Sequence, residues 1–323
     1  MKTKKILPAF ALILALSALA GCSGDKTVAL DNYWDYNSLT EKNALDETLV
    51  YNVTFDAGAG LELVNYQLDY KNGVYTTTVK SGTHDGKNVY TFTTQLTIDA
   101  VYTLGEQTKT YTDTVTTETV FYDVENFLQP ISSVKTIISH SPKNGDSFAS
   151  VEDCAYPVDQ KIETVYEGKK GTCTRTDNLL KEDEQSKPHS FTMDEKYTYL
   201  DNEQLLFAIR GFSPSTTSAT VKTYTPFVRN QQKVKFTFAE VDEEEAKKFT
   251  ISENGGEATQ KTISYRTANI VLDEVNPGGT QIAWLATGAS DKNAYRNVVL
   301  RLETPLSYSL GTLYYDLKSI DRK

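Results

Sequence analysis

Apolar and polar residues alternate along most of the chain, and a period of two predicts β-strands rather than helices. Tyr90 and Phe92 alternate with threonines, and Val234, Phe236 and Phe238 alternate with polar residues later in the chain. Residues that favour strands, the β-branched and aromatic ones, dominate from position 48 onward. The pattern predicts a mostly β protein whose antiparallel sheet has one covered face and one wet face.

Turn dipeptides separate the predicted strands, and helix signals are few. Asn72-Gly73 is the pair that best tolerates the positive φ angles of a type I′ hairpin turn, and Asp85-Gly86 predicts a second turn. Asp201 followed by Gln204 resembles a capping box at the start of a short helix, which Gly211 ends. A few short helices are therefore expected among the strands.

The first 21 residues differ from the rest of the chain. Lysines at positions 2, 4 and 5 precede a nearly unbroken apolar run over positions 6–20. This run is too short to span a bilayer, which needs roughly 20 residues, and it fits the apolar core of an export signal. It ends in Leu19-Ala20-Gly21-Cys22, which resembles the lipobox of bacterial lipoproteins. A secretory signal with a coincidental cysteine and a buried core helix are the alternatives.

The resemblance to the lipobox implies that cleavage before Cys22 leaves a lipid attached to its thiol. Residues 1–21 are then the lipoprotein signal peptide, and residues 22–36 are the lipid anchor and tether. Two or more acyl chains hold a protein on a membrane stably. The mature chain is therefore expected to be exported and lipid-anchored to the bacterial membrane, facing outward or in the periplasm.

The mature chain is strongly acidic. The full sequence has 33 Lys and Arg against 43 Asp and Glu, and loss of the three signal-peptide lysines leaves a net charge of −13. Such a body is repelled by anionic lipid, and phosphate binding requires clustered basic residues. We expect contact with the membrane through the lipid alone, and no nucleic-acid partner.

Composition along the chain suggests two β halves. Residues 37–138 form the predicted N-terminal half, and residues 190–323 form the predicted C-terminal half. Residues 139–189 are rich in turn-forming and charged residues and are predicted to be an irregular connecting segment. Because single all-β domains of this size are ordinary, the two halves are either separate or parts of one domain.

Two cysteines remain in the mature body besides Cys22. Export permits a disulfide between Cys154 and Cys173. The alternative is two separate small buried residues, and the sequence leaves both interpretations open.

Residues with the patterns of catalytic or metal sites are scarce. His84, His140 and His189 have no second histidine at metal-ligand spacing and are predicted to be exposed loop residues. The acidic run 242–245 is interpreted as a solvated helix face. We therefore predict no metal, no cofactor and no enzymatic activity, and the ligand-binding residues remain unknown.

Several segments together resemble an exported bacterial envelope family of β-proteins that is classed only as a domain of unknown function. The segments are the helix at 201–210, Ala283-Trp284-Leu285-Ala286, Tyr295-Arg296, the stretch 301–306 with Gly311, and the stretch 49–55 with Gly58 and Gly60. The resemblance implies an antiparallel, curved sheet that is half-barrel or barrel-like, and it implies no activity. The insert around Cys154 departs from the family pattern.

These features favour a membrane-anchored surface lipoprotein with a binding or structural role at the bacterial envelope. Its partner would be an envelope glycan, a protein or a hydrophobic ligand. One alternative is a carrier that holds a lipid or another hydrophobic ligand in a groove of the curved sheet. Another is a hydrolase of cell-wall glycan or peptide, which would require two carboxylates, or a nucleophile and a base, in one cleft.

Overall fold

A computed structural model describes residues 30, 45–123, 127–145, 147–213, 215–239, 246–272, 280–287, 295 and 297–322. The strands of its first half are β1 Glu47–Ala57, β2 Gln67–His84, β3 Lys87–Leu104, β4 Gln107–Tyr122, β5 Pro130–Pro142, β6 Ala155–Glu167, β7 Lys170–Asp177 and β8 His189–Thr192. Those of its second half are β9 Ser218–Thr225, β10 Asn230–Phe238, β11 Ala246–Glu253, β12 Thr259–Leu272, β13 Gln281–Ala286, β14 Val299–Pro305 and β15 Gly311–Arg322.

Helical segments in the described residues are short, and the longest continuous stretch, residues 202–211, is one α-helical turn between two 3-10 turns. The α-helix α1 is Leu205–Ala208, and the 3-10 turns are Ala59–Leu63, Glu152–Cys154, Glu182–Glu184, Asn202–Gln204, Ile209–Gly211 and Ser307–Ser309. None of the helices described is long and apolar enough to cross a membrane.

The strands belong to one continuous sheet with the order β8-β7-β6-β5-β4-β3-β2-β1-β15-β14-β13-β12-β10-β9. Along this path neighbouring strands are antiparallel. Strand β11 pairs with both β12 and β15, so the five strands β11 to β15 close into a small barrel. The predicted mostly β, antiparallel, barrel-like fold is confirmed.

The two strands at opposite ends of this order, β8 and β9, contact each other through their side chains. The ring of Phe191 in β8 stacks on that of Tyr224 in β9, with centroids 4.1 Å apart. The Tyr224 hydroxyl lies 3.0 Å from Nδ1 of His189, and Gln231 donates to the carbonyl of Thr192 at 2.8 Å. The large sheet therefore curves back on itself and encloses a concave face.

Strand β2 runs through the predicted Asn72-Gly73 turn, so that prediction is wrong. Asn72 has a positive φ of 52°, but the register with β3 only shifts between Lys71 and Val74, as at a β-bulge. A Cβ on Gly73 would lie 2.7 Å from the Cβ of Val53 in β1, which explains the glycine. The Asp85-Gly86 turn does connect β2 and β3, as predicted.

The predicted irregular segment 139–189 contains two regular strands. Strands β6 and β7 lie within it and extend the sheet beyond β5. The turn-forming residues are concentrated between β5 and β6. In β6 every second residue from Val158 to Ile162 is buried, although the middle one, Gln160, is polar. The two predicted halves also share one sheet, since β1 pairs with β15 along its whole length.

The core extends into the predicted tether. Leu30 is buried and belongs to the same apolar cluster as Leu45, Leu49 and Ile320. The stretch between the predicted lipid site and the folded body is therefore shorter than the predicted 22–36.

Candidate functional site

Residues 197–212 cross the concave face of the sheet, and we call them the inner segment. All of them are buried except Glu203 and Leu206, which are half-buried. The ring of Phe207 packs 5.3–5.8 Å from three aromatic rings of β3 and β4, those of Tyr90, Phe92 and Phe121. The segment thus fills space that the curved sheet would otherwise leave open.

Local hydrogen bonds explain why the chain turns helical here. The carboxylate of Asp201 accepts a hydrogen bond from the backbone N–H of Glu203 at 2.8 Å. The side-chain oxygen of Gln204 accepts a hydrogen bond from the backbone N–H of Asp201 at 3.0 Å. This is the capping box predicted from the sequence. The amide group of Gln204 also donates to the carbonyl of Leu128 at 2.8 Å, which fixes the turn against the sheet.

A buried ion pair joins the inner segment to β5. Nζ of Lys135 lies 3.1 Å from both carboxylate oxygens of Glu203. The side chains are only 5% and 8% exposed. Because each charge is matched by the other, the pair places no net charge beside the inner segment.

Asp201 makes the second polar contact with the sheet. Its Oδ2 accepts the hydroxyls of Tyr166 at 2.6 Å and Ser133 at 2.7 Å. Burial raises the pKa of the Asp201 carboxyl and the nearby charge of Glu203 adds to this, while the hydrogen-bond donors oppose it. The carboxyl is fully committed to holding the segment in place.

Glu47 of β1 makes the third polar contact. Its Oε1 accepts a hydrogen bond from Nη1 of Arg210 at 2.6 Å, and its Oε2 accepts one from Nε of Arg322 at 2.8 Å. Burial favours the neutral acid, but the two guanidinium groups hold the pKa of the Glu47 carboxyl below its ordinary value. Asn297 donates to the carbonyl of Arg210 at 2.9 Å and completes the cluster.

A small pocket of about 40 Å³ lies beside the inner segment. It lies between β2 and β3 on one side and β12 to β15 on the other, and its lining residues are Tyr75, Thr94, Leu96, Asn202, Glu203, Leu205, Leu206, Ile270, Gln281, Leu302, Thr304 and Tyr315. Burial raises the pKa values of Tyr75 and Tyr315, so both hydroxyls stay neutral. Mostly apolar walls with a few converging polar groups are typical of ligand pockets.

The amide of Asn202 is the unusual group in this pocket. Its Nδ2 donates to Oε1 of Glu203 at 3.1 Å. Its Oδ1 is buried and has no hydrogen-bond partner within the described structure. Leaving a buried acceptor unsatisfied is costly and uncommon in native proteins.

A second polar cluster lies where β4 and β5 separate beyond the Thr114–Ile138 pair. Oδ1 of Asp113 lies 2.9 Å from Nδ1 of His140, and the main chain of His140 also hydrogen-bonds this carboxyl. Burial raises the pKa of Asp113 to about 6, against the opposing effect of His140. The His140 ring stacks on Tyr111 with centroids 3.9 Å apart. These contacts connect β4 and β5 beyond the point at which the backbones of the two strands stop pairing.

Of the predicted site residues, Cys22 lies outside the described residues. Cys173 lies near Asp201 of the inner segment, and Cys154 lies near Tyr111 of the second cluster. Cys154 and Cys173 are buried free thiols, so the structure agrees with two separate buried residues and not with the disulfide. Cys173 pairs with Thr164 in the ladder, and Cys154 precedes Thr164 by ten residues, roughly 30 Å of strand. A disulfide requires Cα atoms within about 7 Å.

All three histidines are predicted to be exposed loop residues. His84 is exposed, as predicted, but it is the last residue of strand β2 and not part of a loop. His140 and His189 are half-buried in strands because each packs on a tyrosine, Tyr111 and Tyr224 respectively. Within the described residues, no group of three or more His, Cys, Asp and Glu side chains is arranged to hold a metal ion. The acidic run 242–245 lies outside those residues.

Sequence reasoning identified Asp201 and Gln204 as a helix start. It did not identify Asn202 and Glu203 as pocket residues, or Lys135 as the partner of Glu203. One signal was present for Lys135. It lies in phase with the buried Ile137 on β5, and a lysine on the inward phase of a strand implies a buried partner.

Comparisons with known proteins add one likeness in fold. No protein-family model matches the sequence, and no curated protein matches it. The chain is similar to the crystal structure of a beta-barrel-like protein of domain of unknown function DUF1849 from Brucella abortus. The two are 8% identical, the match covers 86% of this chain and 98% of that one, and the TM-score is 0.46.

Proposed function

We propose that this chain is a lipid-anchored protein of the bacterial envelope whose β body binds a ligand or partner and performs no catalysis. The observation that carries the proposal is the sequence pattern that ends at Cys22: basic residues, a short apolar run and a lipobox-like motif. A β body with its own core follows this pattern. The protein would be exported and held on the membrane by its lipid.

The position of Leu30 supports an anchor that holds the body close to the bilayer. Because Leu30 is buried in the core, the free tether extends at most from Cys22 to Leu30. Eight residues span no more than about 28 Å when fully extended. The body would therefore work at the membrane surface, near envelope glycan, neighbouring proteins or small ligands.

The filled concave face supports binding over carriage of a bulky lipid. The inner segment occupies the space in which a carrier would hold its cargo, and the pocket beside it is about 40 Å³. Pockets that enclose a drug-sized ligand are about 300–1,000 Å³. Two tyrosines also line the pocket, whereas a lipid groove would be lined mainly by aliphatic side chains.

The state of the interior carboxylates supports a non-catalytic role. Asp201 and Glu203 are neighbours near the pocket, as a hydrolase would require. Asp201 is engaged by two hydroxyls and a backbone N–H, and Glu203 is engaged by Lys135. Every oxygen of the two carboxylates therefore already accepts a hydrogen bond from the protein.

Membrane fractionation of a Cys22→Ala variant tests the anchor. In a bacterial host that processes lipoproteins, the variant is expected to move from the membrane fraction to the soluble fraction, because no thiol is left to accept lipid. Ser23→Ala is the matched control, since it changes the adjacent residue and keeps the thiol. Mass spectrometry of the N-terminal peptide should find diacylglycerol on the control only. Membrane association of Cys22→Ala at the wild-type level would overturn the proposal.

A further inference from the structure

We propose that Lys135 of β5 and Asn202 of the inner segment become joined by an amide bond between Nζ of the lysine and Cγ of the asparagine, with Glu203 transferring the protons. The inference goes beyond the proposed binding role and does not depend on the lipid anchor. The reaction occurs once, within the chain's own core, and turns over no external substrate. It follows from the contacts of Glu203, from the burial of the three side chains and from the orientation of the Asn202 amide.

One carboxylate oxygen contacts both nitrogens that the reaction involves. Oε1 of Glu203 lies 3.1 Å from Nζ of Lys135, and it accepts a hydrogen bond from Nδ2 of Asn202 that is also 3.1 Å long. The two nitrogens are therefore separated by no more than twice this distance. Attack requires the reacting atoms to come within about 3–3.5 Å, and the flexible four-carbon stem of a lysine can close the remaining gap by rotating about its own bonds.

The three side chains are shielded from water. Lys135 is 4% exposed, Asn202 is 8% exposed, and the side chain of Glu203 is 8% exposed. Leu205 and Leu302 line the small pocket together with Asn202 and Glu203. An amine must be uncharged to act as a nucleophile. Transfer of a proton from Lys135 to Glu203 supplies this form, and dry surroundings favour the transfer because burying two ions is costly.

The orientation of the Asn202 amide suits the departure of ammonia, because its nitrogen and not its oxygen faces Glu203. The electron pair of the neutral Nζ forms a bond to Cγ, and an electron pair of the carbonyl moves to Oδ1. The protonated Glu203 then gives its proton to Nδ2 and takes one of the two protons left on Nζ. As the carbonyl forms again, the bond from Cγ to Nδ2 breaks and ammonia leaves. One amide replaces another, so no oxidant or reductant is needed.

The cross-link would hold the inner segment inside the curved sheet. It closes a loop from residue 135 to residue 202, and closing a loop of this length restricts the unfolded chain. Cys154 and Cys173 are free thiols. The amide would therefore give this exported protein a covalent constraint that these two cysteines do not provide.

Mass spectrometry of tryptic peptides from the full chain tests the inference. A lysine whose Nζ is in an amide is not cleaved by trypsin, so residues 110–143 should be found joined to residues 197–210. The joined species should be lighter than the sum of the two peptides by one ammonia. Recovery of residues 110–135 and 197–210 only as separate peptides would overturn the inference. Conversion of Asn202 to aspartate without a link would overturn it as well, since water would then be the attacking group.

Variants distinguish a reactive site from a buried ion pair. Lys135→Met removes the nucleophile and should abolish the link, whereas Lys161→Met, at an exposed lysine of β6 that pairs with Glu163, should leave it intact. Glu203→Gln keeps both reacting groups but should reduce the linked fraction by at least tenfold, since it removes the proton acceptor. A linked fraction equal to that of the wild type would refute the role of Glu203.

Asn202→Asp gives a signature that an ion pair cannot produce. Water replaces ammonia as the leaving group, so the joined peptides should be lighter than their sum by one water. The masses of the wild type and of this variant decide the matter even if Lys135→Met does not fold. Cys22→Ala should still form the link, so the anchor and the cross-link can each fail alone.

Discussion

Asp113 carries the clearest energetic conflict in the structure. Its side chain is fully buried on the inward face of β4. Oδ1 is paired with His140, but Oδ2 has no hydrogen-bond partner among the described residues. Burying a carboxylate with one oxygen unsatisfied disfavours the charged form. Asp113→Asn removes this charge and retains an oxygen that can accept the proton of His140.

The raised pKa sets the size and sign of the effect. The ordinary value of 3.8 rises to about 6 in the folded chain. At roughly 1.36 kcal/mol for each pH unit, this corresponds to about 3 kcal/mol. Between these two values the folded state holds a proton that the unfolded state has released, so stability falls as pH rises through this window. Above about pH 6 the whole cost is present, and below 3.8 it is absent.

We therefore expect Asp113→Asn to be more stable than the wild type by about 1–3 kcal/mol near pH 8. The lower figure allows for the buried amide hydrogens that the variant introduces. Near pH 4 the advantage should disappear. Urea unfolding followed by circular dichroism at both pH values measures the difference directly.

Asp99→Asn is a control with the opposite sign. Hydrogen bonds from Asn72 and Thr112 lower the pKa of Asp99, so its contribution to stability is present near pH 8 and is lost as pH falls. The control should therefore be less stable than the wild type near pH 8 and equal to it at low pH. Parallel pH profiles for Asp113→Asn and the wild type would refute the reasoning about Asp113.

Three further outcomes are expected. Glu47→Leu should lower the free energy of unfolding by about 3–5 kcal/mol in urea titrations, because it leaves two arginines uncompensated; a loss under about 1 kcal/mol would contradict this. Gly171→Ala should lower stability by about 1–3 kcal/mol, since the new Cβ would lie 2.2 Å from the ring of Phe191; an unchanged melting temperature would count against it. Alkylation of unreduced, unfolded protein should modify both Cys154 and Cys173, and a mass showing neither modified would indicate a disulfide.

Local features of the fold were predictable because their causes lie within a few residues. The capping box at Asp201 and Gln204 and the turn at Asp85-Gly86 both depend on neighbours in sequence. The phase of Val234, Phe236 and Phe238 was also correct, since all three are buried on one face of β10. At Asn72-Gly73 the same reasoning failed, because the glycine is required by close approach of β1 and not by a hairpin turn.

The site could not be predicted because its contacts are long-range. Arg210 reaches Glu47 across 163 positions, and Glu203 reaches Lys135 across 68. Nothing near Arg210 in sequence indicates that the helix lies inside the curved sheet. The pairing of β1 with β15, the first and last strands described, is equally impossible to predict from local patterns.

The three polar contacts of the inner segment explain how one conformation is selected inside an apolar concave face. Apolar packing is non-directional, so by itself it fixes a helical turn only weakly in rotation and in register. Asp201, Glu203 and Arg210 each require a different partner on β5, β6 or β1, and breaking one buried charge pair is expected to cost several kcal/mol. Only one position satisfies all three. That position uses the side chains of Asp201 and Gln204 as caps and leaves the Asn202 oxygen between them without a donor. The open acceptor is therefore a consequence of how the segment is held.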